Sequence, residues 1–167
     1  GLKDVANEIG DAALVVQCDV GTRSSVVAAF ANLKSNFGRL DLLFNNAGVV
    51  PNASLLEDVP QDEWQKVFDV NVGGTFFCTQ EAFSIMKKQN PQGGRIINNG
   101  SISAHMPRPN SAPYTASKHA ITGLTRATAL DGRKYNIACG QIDIGNLTFI
   151  DIANFYKGIE TIPLFHK

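Results

Sequence analysis

Residues 94–118 read GRIINNGSISAHMPRPNSAPYTASK and contain a strand, a loop and the start of a helix. The strand is expected near 94–99, where Ile96 and Ile97 stand before a polar stretch. Three prolines mark the loop, because proline removes a backbone donor and fixes the chain direction. The helix is expected near 114–130. A strand that leads through a loop into a helix is the unit from which parallel sheets are built.

The same alternation continues on both sides of this stretch. Other strands are expected near 13–18, 40–44 and 136–143, and other helices near 1–9, 23–36 and 61–89. Strands that alternate with helices predict an α/β fold, in which helices cover both faces of a parallel sheet. No internal repeat or domain boundary interrupts this pattern.

Tyr114 and Lys118 lie one helical turn apart and therefore share a face. A phenol has an ordinary pKa of about 10, and a neighbouring cation lowers that pKa towards the working range of an acid–base group. Ser101 lies thirteen residues before Tyr114, and its hydroxyl can hold a substrate oxygen while the tyrosine moves a proton. The three side chains suit the interconversion of an alcohol and a ketone. The plainer alternative for the Tyr–Lys pair is an exposed helix face.

Three further landmarks precede these residues. In chain order they are Asp19-Val20 after an apolar run, Asn45-Asn46-Ala47-Gly48 after Leu40–Phe44, and Asn71 followed by Gly73-Gly74. Each has a structural alternative. The first could simply end a strand, the second could be a turn after a strand, and the third could be a kink, because glycine weakens a helix by about 1 kcal/mol relative to alanine.

In this order and at this spacing, the motifs resemble the short-chain dehydrogenase/reductase family over residues 1–148. The resemblance implies a doubly wound parallel sheet, a Rossmann-like fold that binds NAD or NADP. It also implies an oxidoreductase that transfers hydride between the nicotinamide and a small-molecule alcohol or carbonyl substrate. Homo-oligomerisation through the helices near 61–89 and 114–130 is expected for the full-length form.

The resemblance also implies roles for individual residues. Tyr114 is expected to be the acid–base group, beside which Lys118 lowers the phenol pKa and holds the ribose. Ser101 is expected to position the substrate oxygen, and Asn71 to hold a water beside the lysine. The cofactor is expected to contact Tyr114 and Lys118 as well as Asp19, Val20, Asn45, Ala47, Gly48 and Gly145.

The chain departs from the family pattern at both ends. No glycine-rich turn of the dinucleotide fingerprint is present, and Gly1 opens the chain inside an amphipathic helix. Ile144-Gly145 stands where the family has Pro-Gly, and residues 149–167 resemble nothing in the family. We therefore expect a fragment that lacks the amino-terminal cofactor loop and the carboxyl-terminal part of the family. Activity is expected only when the missing amino-terminal part is present. The alternative is a truncated, inactive relative that acts as a dimerisation or binding module.

Composition agrees with an ordinary enzyme. The fifteen basic and fifteen acidic side chains balance, so no field attracts nucleic acid or an anionic membrane. Cys18, Cys78 and Cys139 are widely separated in apolar surroundings, which predicts reduced thiols, a cytoplasmic location and no metal site. Organellar targeting stays open. His105 has two interpretations, a substrate contact or a solvated loop histidine.

Overall fold

The computed structural model describes residues 2–145, with the side chains of residues 4–145. Three parallel strands form a sheet in the order β1 (Leu42–Asn45), β2 (Gly94–Asn99) and β3 (Ile137–Ile142). This confirms the predicted α/β fold with a parallel sheet. The helices are α1 (Leu2–Ile9), α2 (Arg23–Phe37), α3 (Gln61–Phe68), α4 (Thr75–Lys88) and α5 (Ala112–Gly132).

The core lies between α4 and the sheet. Ala82 and Met86 of α4 are fully buried against Ile96 of β2 and Ile137 at the start of β3. The parallel register pairs Ile96 with Leu43 on one side and with Cys139 on the other. Because all three strands run in the same direction, the segments after Asn45, Asn99 and Ile142 emerge at the same edge of the sheet.

The predicted strand at 13–18 is wrong. The structure assigns no strand to these residues, and Leu14 keeps 41% of its surface exposed. Among the described residues the sheet ends at β1. A strand exists only where a neighbouring strand completes its backbone hydrogen bonds, and residues 13–18 pair with none of the three described strands.

The predicted helix at 61–89 is continuous but distorted in its middle. A π-helical segment, Asp69–Gly74, joins α3 to α4 at the point where Asn71 and the two glycines were expected to disturb the helix. Gly74 allows a close approach there, because a Cβ at this position would lie 2.7 Å from Cγ2 of Val20. Val20 therefore packs closely against the long helix at Gly74.

Two expectations concern residues beyond this description. The end of the predicted dehydrogenase domain at residue 148 and the divergent tail at 149–167 lie outside the described residues. Within residues 2–145, none of the helices combines the length and the apolar character needed to span a membrane.

Candidate active site

Tyr114 and Lys118 lie in the first two turns of α5, where the Lys118 ammonium stands 5.5 Å from the centre of the Tyr114 ring. Lys118 is only 6% exposed, and its Nζ donates a 2.8 Å hydrogen bond to the carbonyl oxygen of Asn99 at the end of β2. Burial disfavours the charged ammonium and lowers the pKa of Lys118 to about 8, although Asp143 opposes this shift. A hydrogen bond therefore holds the lysine at the end of β2, and its ammonium loses its proton at a lower pH than that of an exposed lysine.

Ser101 lies two residues after the end of β2 and is buried. Its Oγ accepts a 3.1 Å hydrogen bond from the backbone N–H of Ser103 and caps a short 3₁₀ turn at residues 102–104. Its own backbone N–H donates a 3.1 Å bond to Oδ1 of Asp143. Because Lys118 bonds to Asn99, two residues earlier, Ser101 and the Tyr–Lys pair meet at the same edge of the sheet.

Asn71 joins the π-helical segment to two other parts of the site. Its amide accepts a 2.7 Å bond from Val49 N–H and donates a 3.0 Å bond to the Val49 carbonyl oxygen. Its Nδ2 also donates to Oγ of Ser117, which in turn donates to the carbonyl oxygen of Tyr114. The buried Asn71 side chain therefore ties the loop after β1 to α5. Its role in holding a water stays a prediction.

Three of the residues predicted to contact the cofactor lie together. Val20, Asn45 and Ala47 line one small cleft beside the π-helical segment. Gly48 lies next to Asn71, since a Cβ there would come within 3.3 Å of the Asn71 Oδ1. Gly145 is the last described residue. These positions surround the carboxyl edge of the sheet, where ligands bind in doubly wound folds.

The side chains of Asp19 and Asn45 are already engaged within the protein. The Asp19 carboxylate accepts bonds from Gly21 N–H and the Thr22 hydroxyl ahead of α2. The buried Asn45 amide donates to Thr79 and to Asn98. Both residues therefore shape the edge of the cleft through their own contacts, and direct contact with a cofactor stays a prediction.

Asp143 is a site residue that the sequence motifs do not predict, and His105 has two interpretations on sequence alone. The two side chains pair at 2.9 Å, between His105 Nε2 and Asp143 Oδ2. One signal could have found Asp143, because it directly follows β3 at the edge where ligands bind. Among the side chains of residues 4–145, no group of three His, Cys, Asp or Glu is arranged to hold a metal ion.

Comparison with known proteins agrees with this geometry. The family model described as short chain dehydrogenase matches residues 1–153. This chain belongs to that family. The chain is 43% identical over 148 residues to the uncharacterized oxidoreductase YohF of Escherichia coli (strain K12), covering 87% of this chain and 58% of that protein. It is 38% identical over 135 residues to a 3beta-hydroxysteroid dehydrogenase of Mediterraneibacter gnavus, covering 81% and 48%.

Solved structures of short-chain dehydrogenases share the fold. A 3-ketoacyl-(acyl-carrier-protein) reductase from Brucella melitensis, complexed with NADH, superposes with a TM-score of 0.82 at 34% identity. The superposition covers 86% of this chain and 60% of that one. The chain spans about half the length of the curated relatives it matches.

Proposed function

We propose that the protein is an NAD(P)-dependent oxidoreductase that interconverts an alcohol and a carbonyl compound by hydride transfer. The observation that carries this proposal is the buried Lys118 beside Tyr114. Its ammonium donates a hydrogen bond to the carbonyl oxygen of Asn99, two residues before Ser101. Burying a lysine without a carboxylate in direct contact is unfavourable. Such a residue is typical of sites where a perturbed cation serves the chemistry.

The site also fits a nicotinamide cofactor. Oδ1 of Asn99 is buried and has no hydrogen-bond partner among the described residues, next to the carbonyl that binds Lys118. A buried acceptor of this kind favours a ligand that brings a donor, such as a ribose hydroxyl. Tyr114, Lys118 and the cleft at Val20, Asn45 and Ala47 would hold such a cofactor, NAD or NADP, which supplies or accepts the hydride when bound.

The chain's own residues would handle the proton and the substrate oxygen. In reduction, the Ser101 hydroxyl donates a hydrogen bond to the carbonyl oxygen, and Tyr114 transfers its phenolic proton to that oxygen as negative charge develops. Lys118 stabilises the phenolate that remains. In oxidation the proton returns from the alcohol to Tyr114.

The test is Tyr114→Phe in the protein that carries this sequence, expressed from its complete reading frame. The substitution keeps the ring and removes the proton, so we expect turnover of an accepted carbonyl to fall by about 10²–10⁴-fold. Tyr135→Phe is the matched control, because that phenol packs against Phe83 away from the sheet edge. Near wild-type turnover by the Tyr114→Phe variant contradicts the assignment. Absence of both turnover and NAD(P)H binding in the wild type favours the alternative of an inactive binding module.

We also propose a homo-oligomer formed through α4 and α5. The support is apolar surface on the two helices: Phe76 is 45% exposed and Leu130 is 58% exposed. Phe83 and Leu124 line a shallow apolar groove between them. A cytoplasmic, reducing location is supported by the unpaired thiols of Cys78 and Cys139.

A further inference from the structure

The carboxylate of Asp143 collects hydrogen bonds from three parts of the site. Its Oδ1 accepts from the backbone N–H of Ser101 at 3.1 Å and from Nε2 of Gln141 at 2.5 Å. Its Oδ2 receives Nε2 of His105 at 2.9 Å. One side chain thus joins the proposed substrate-positioning serine, the loop that follows it and the end of β3.

Gly100 makes this arrangement sterically feasible. A Cβ at this position would collide with Oδ1 of Asp143 and lie 2.6 Å from Nε2 of Gln141. The two segments are also joined along their backbones, because Gly100 N–H donates a 2.8 Å bond to the carbonyl oxygen of Ile142. The carboxylate therefore packs directly over the backbone turn that leads into Ser101.

Asp143 is negatively charged in this setting. Burial raises the pKa of its carboxyl, but the hydrogen bonds from His105, Gln141 and the Ser101 backbone outweigh that effect and hold the pKa below its ordinary value. The charge is also felt by Lys118, whose pKa it raises against the effect of burial. Asp143 thus touches Ser101 directly and acts on Lys118 through space.

The contact also selects one form of the His105 ring. A carboxylate can only accept, so a neutral His105 carries its hydrogen on Nε2. No other hydrogen bond of the ring is seen among the described residues, and His105 is 56% exposed. Without Asp143, the ring would have no hydrogen bond to another side chain in the described part of the chain.

We propose that Asp143 is a positioning residue of the active site, which holds the Ser101 backbone and orients His105 through two different oxygens. This inference rests on the proposed function. A carboxylate that merely closed the end of β3 would affect stability alone. A positioning carboxylate affects turnover in molecules that remain folded, because small displacements of a reacting group lower rates strongly.

The experiment compares Asp143→Ala and Asp143→Asn in the protein expressed from its complete reading frame. Alanine removes both oxygens, so we expect kcat to fall by about 10–100-fold with a smaller change in KM. Asparagine retains a neutral acceptor for the Ser101 N–H, so it should recover much of the lost kcat. Asp131→Asn, which removes an exposed carboxylate near the end of α5, is the control.

A second readout does not depend on turnover. Ring ¹⁵N shifts of His105, recorded at alkaline pH where imidazole is neutral, identify the protonated nitrogen. We expect hydrogen on Nε2 in the wild type and loss of that preference in Asp143→Asn, whose amide can donate to the ring. The backbone amide signal of Ser101 should move in Asp143→Ala.

The outcomes distinguish a failure of the positioning role of Asp143 from a failure of the proposed oxidoreductase function. Wild-type kcat in Asp143→Ala overturns the inference, and so does a loss of activity that only follows the fraction of folded protein. If the wild type reduces no carbonyl compound, the proposed function fails. The ring signals of His105 and the backbone amide signal of Ser101 then decide whether Asp143 positions these two residues. Unchanged signals in both variants overturn the positioning role.

Discussion

The buried ammonium of Lys118 should make the stability of the folded protein depend on pH in an unusual direction. Most lysines remain exposed, whereas this one is 6% exposed and its pKa is lowered to about 8. Replacing it by methionine retains an unbranched apolar side chain and removes the ionisable group. The comparison of wild type with Lys118→Met therefore isolates the proton of this one residue.

The expected magnitude follows from the two pKa values. In the unfolded chain Lys118 keeps its proton up to about pH 10.5, but in the folded protein only up to about pH 8. Between these values the unfolded state binds more protons, so the free energy of unfolding rises with pH. For this residue the rise between pH 7 and pH 10 amounts to about 2–3 kcal/mol. Below pH 8 the charged, buried form destabilises the fold.

The assay is urea-induced unfolding of the wild type and of Lys118→Met at several pH values from 7 to 10. The difference between the two free energies of unfolding should change by about 2–3 kcal/mol in favour of the wild type as the pH rises. Other groups that titrate in this range cancel in the difference. Lys66→Met, which removes an exposed lysine of α3, controls for the loss of a lysine as such.

A difference that stays constant across this range would refute the reasoning, because it would mean that Lys118 binds its proton equally in both states. A change of opposite sign would show that the folded protein stabilises the ammonium. In either case burial would not lower the pKa of Lys118 in the folded protein as described here.

Two further predictions concern glycines, each paired with a control of the same type. Gly74→Ala places a Cβ 2.7 Å from Val20 Cγ2 and should lower the free energy of unfolding by about 1–3 kcal/mol. Gly73→Ala meets nothing closer than 3.6 Å and should be neutral or stabilising, so equal effects in urea unfolding would contradict the packing described. Gly100→Ala forces the Asp143 carboxylate away and should lower both stability and kcat. Gly123→Ala in α5 adds a Cβ that meets no atom within 4 Å, so it should raise the free energy of unfolding by about 0.5–1 kcal/mol. A lower melting temperature for Gly123→Ala than for Gly100→Ala would contradict this prediction.

Much of the site was predictable because its signals are local. The spacing of Tyr114 and Lys118 on a helix, and the position of Ser101 after a strand, follow from short-range geometry. The same holds for the disturbed helix at Asn71, because two adjacent glycines lower helix stability wherever they occur. The structure has a π-helical segment at Asn71, and it places Ser101 at the start of the turn after β2 and both Tyr114 and Lys118 in α5. The roles of these four residues stay predictions.

The errors and omissions share one cause, which is pairing between distant residues. The apolar run at 14–18 looks like a strand from its sequence, yet no neighbouring strand among the described residues completes its hydrogen bonds. The Asn71 amide bonds to Val49, twenty-two residues away, which its own neighbours do not reveal.

The sequence by itself determined the α/β class and the chemistry-bearing motif, since periodicity and spacing within one element report the geometry of that element. Only the tertiary structure decided that His105 and Asp143, thirty-eight residues apart, meet beside Ser101. That contact depends on the register of β2 against β3, which pairs Asn99 with Ile142 and brings the following residues side by side. Register is fixed by packing across the whole sheet, and no single segment encodes it.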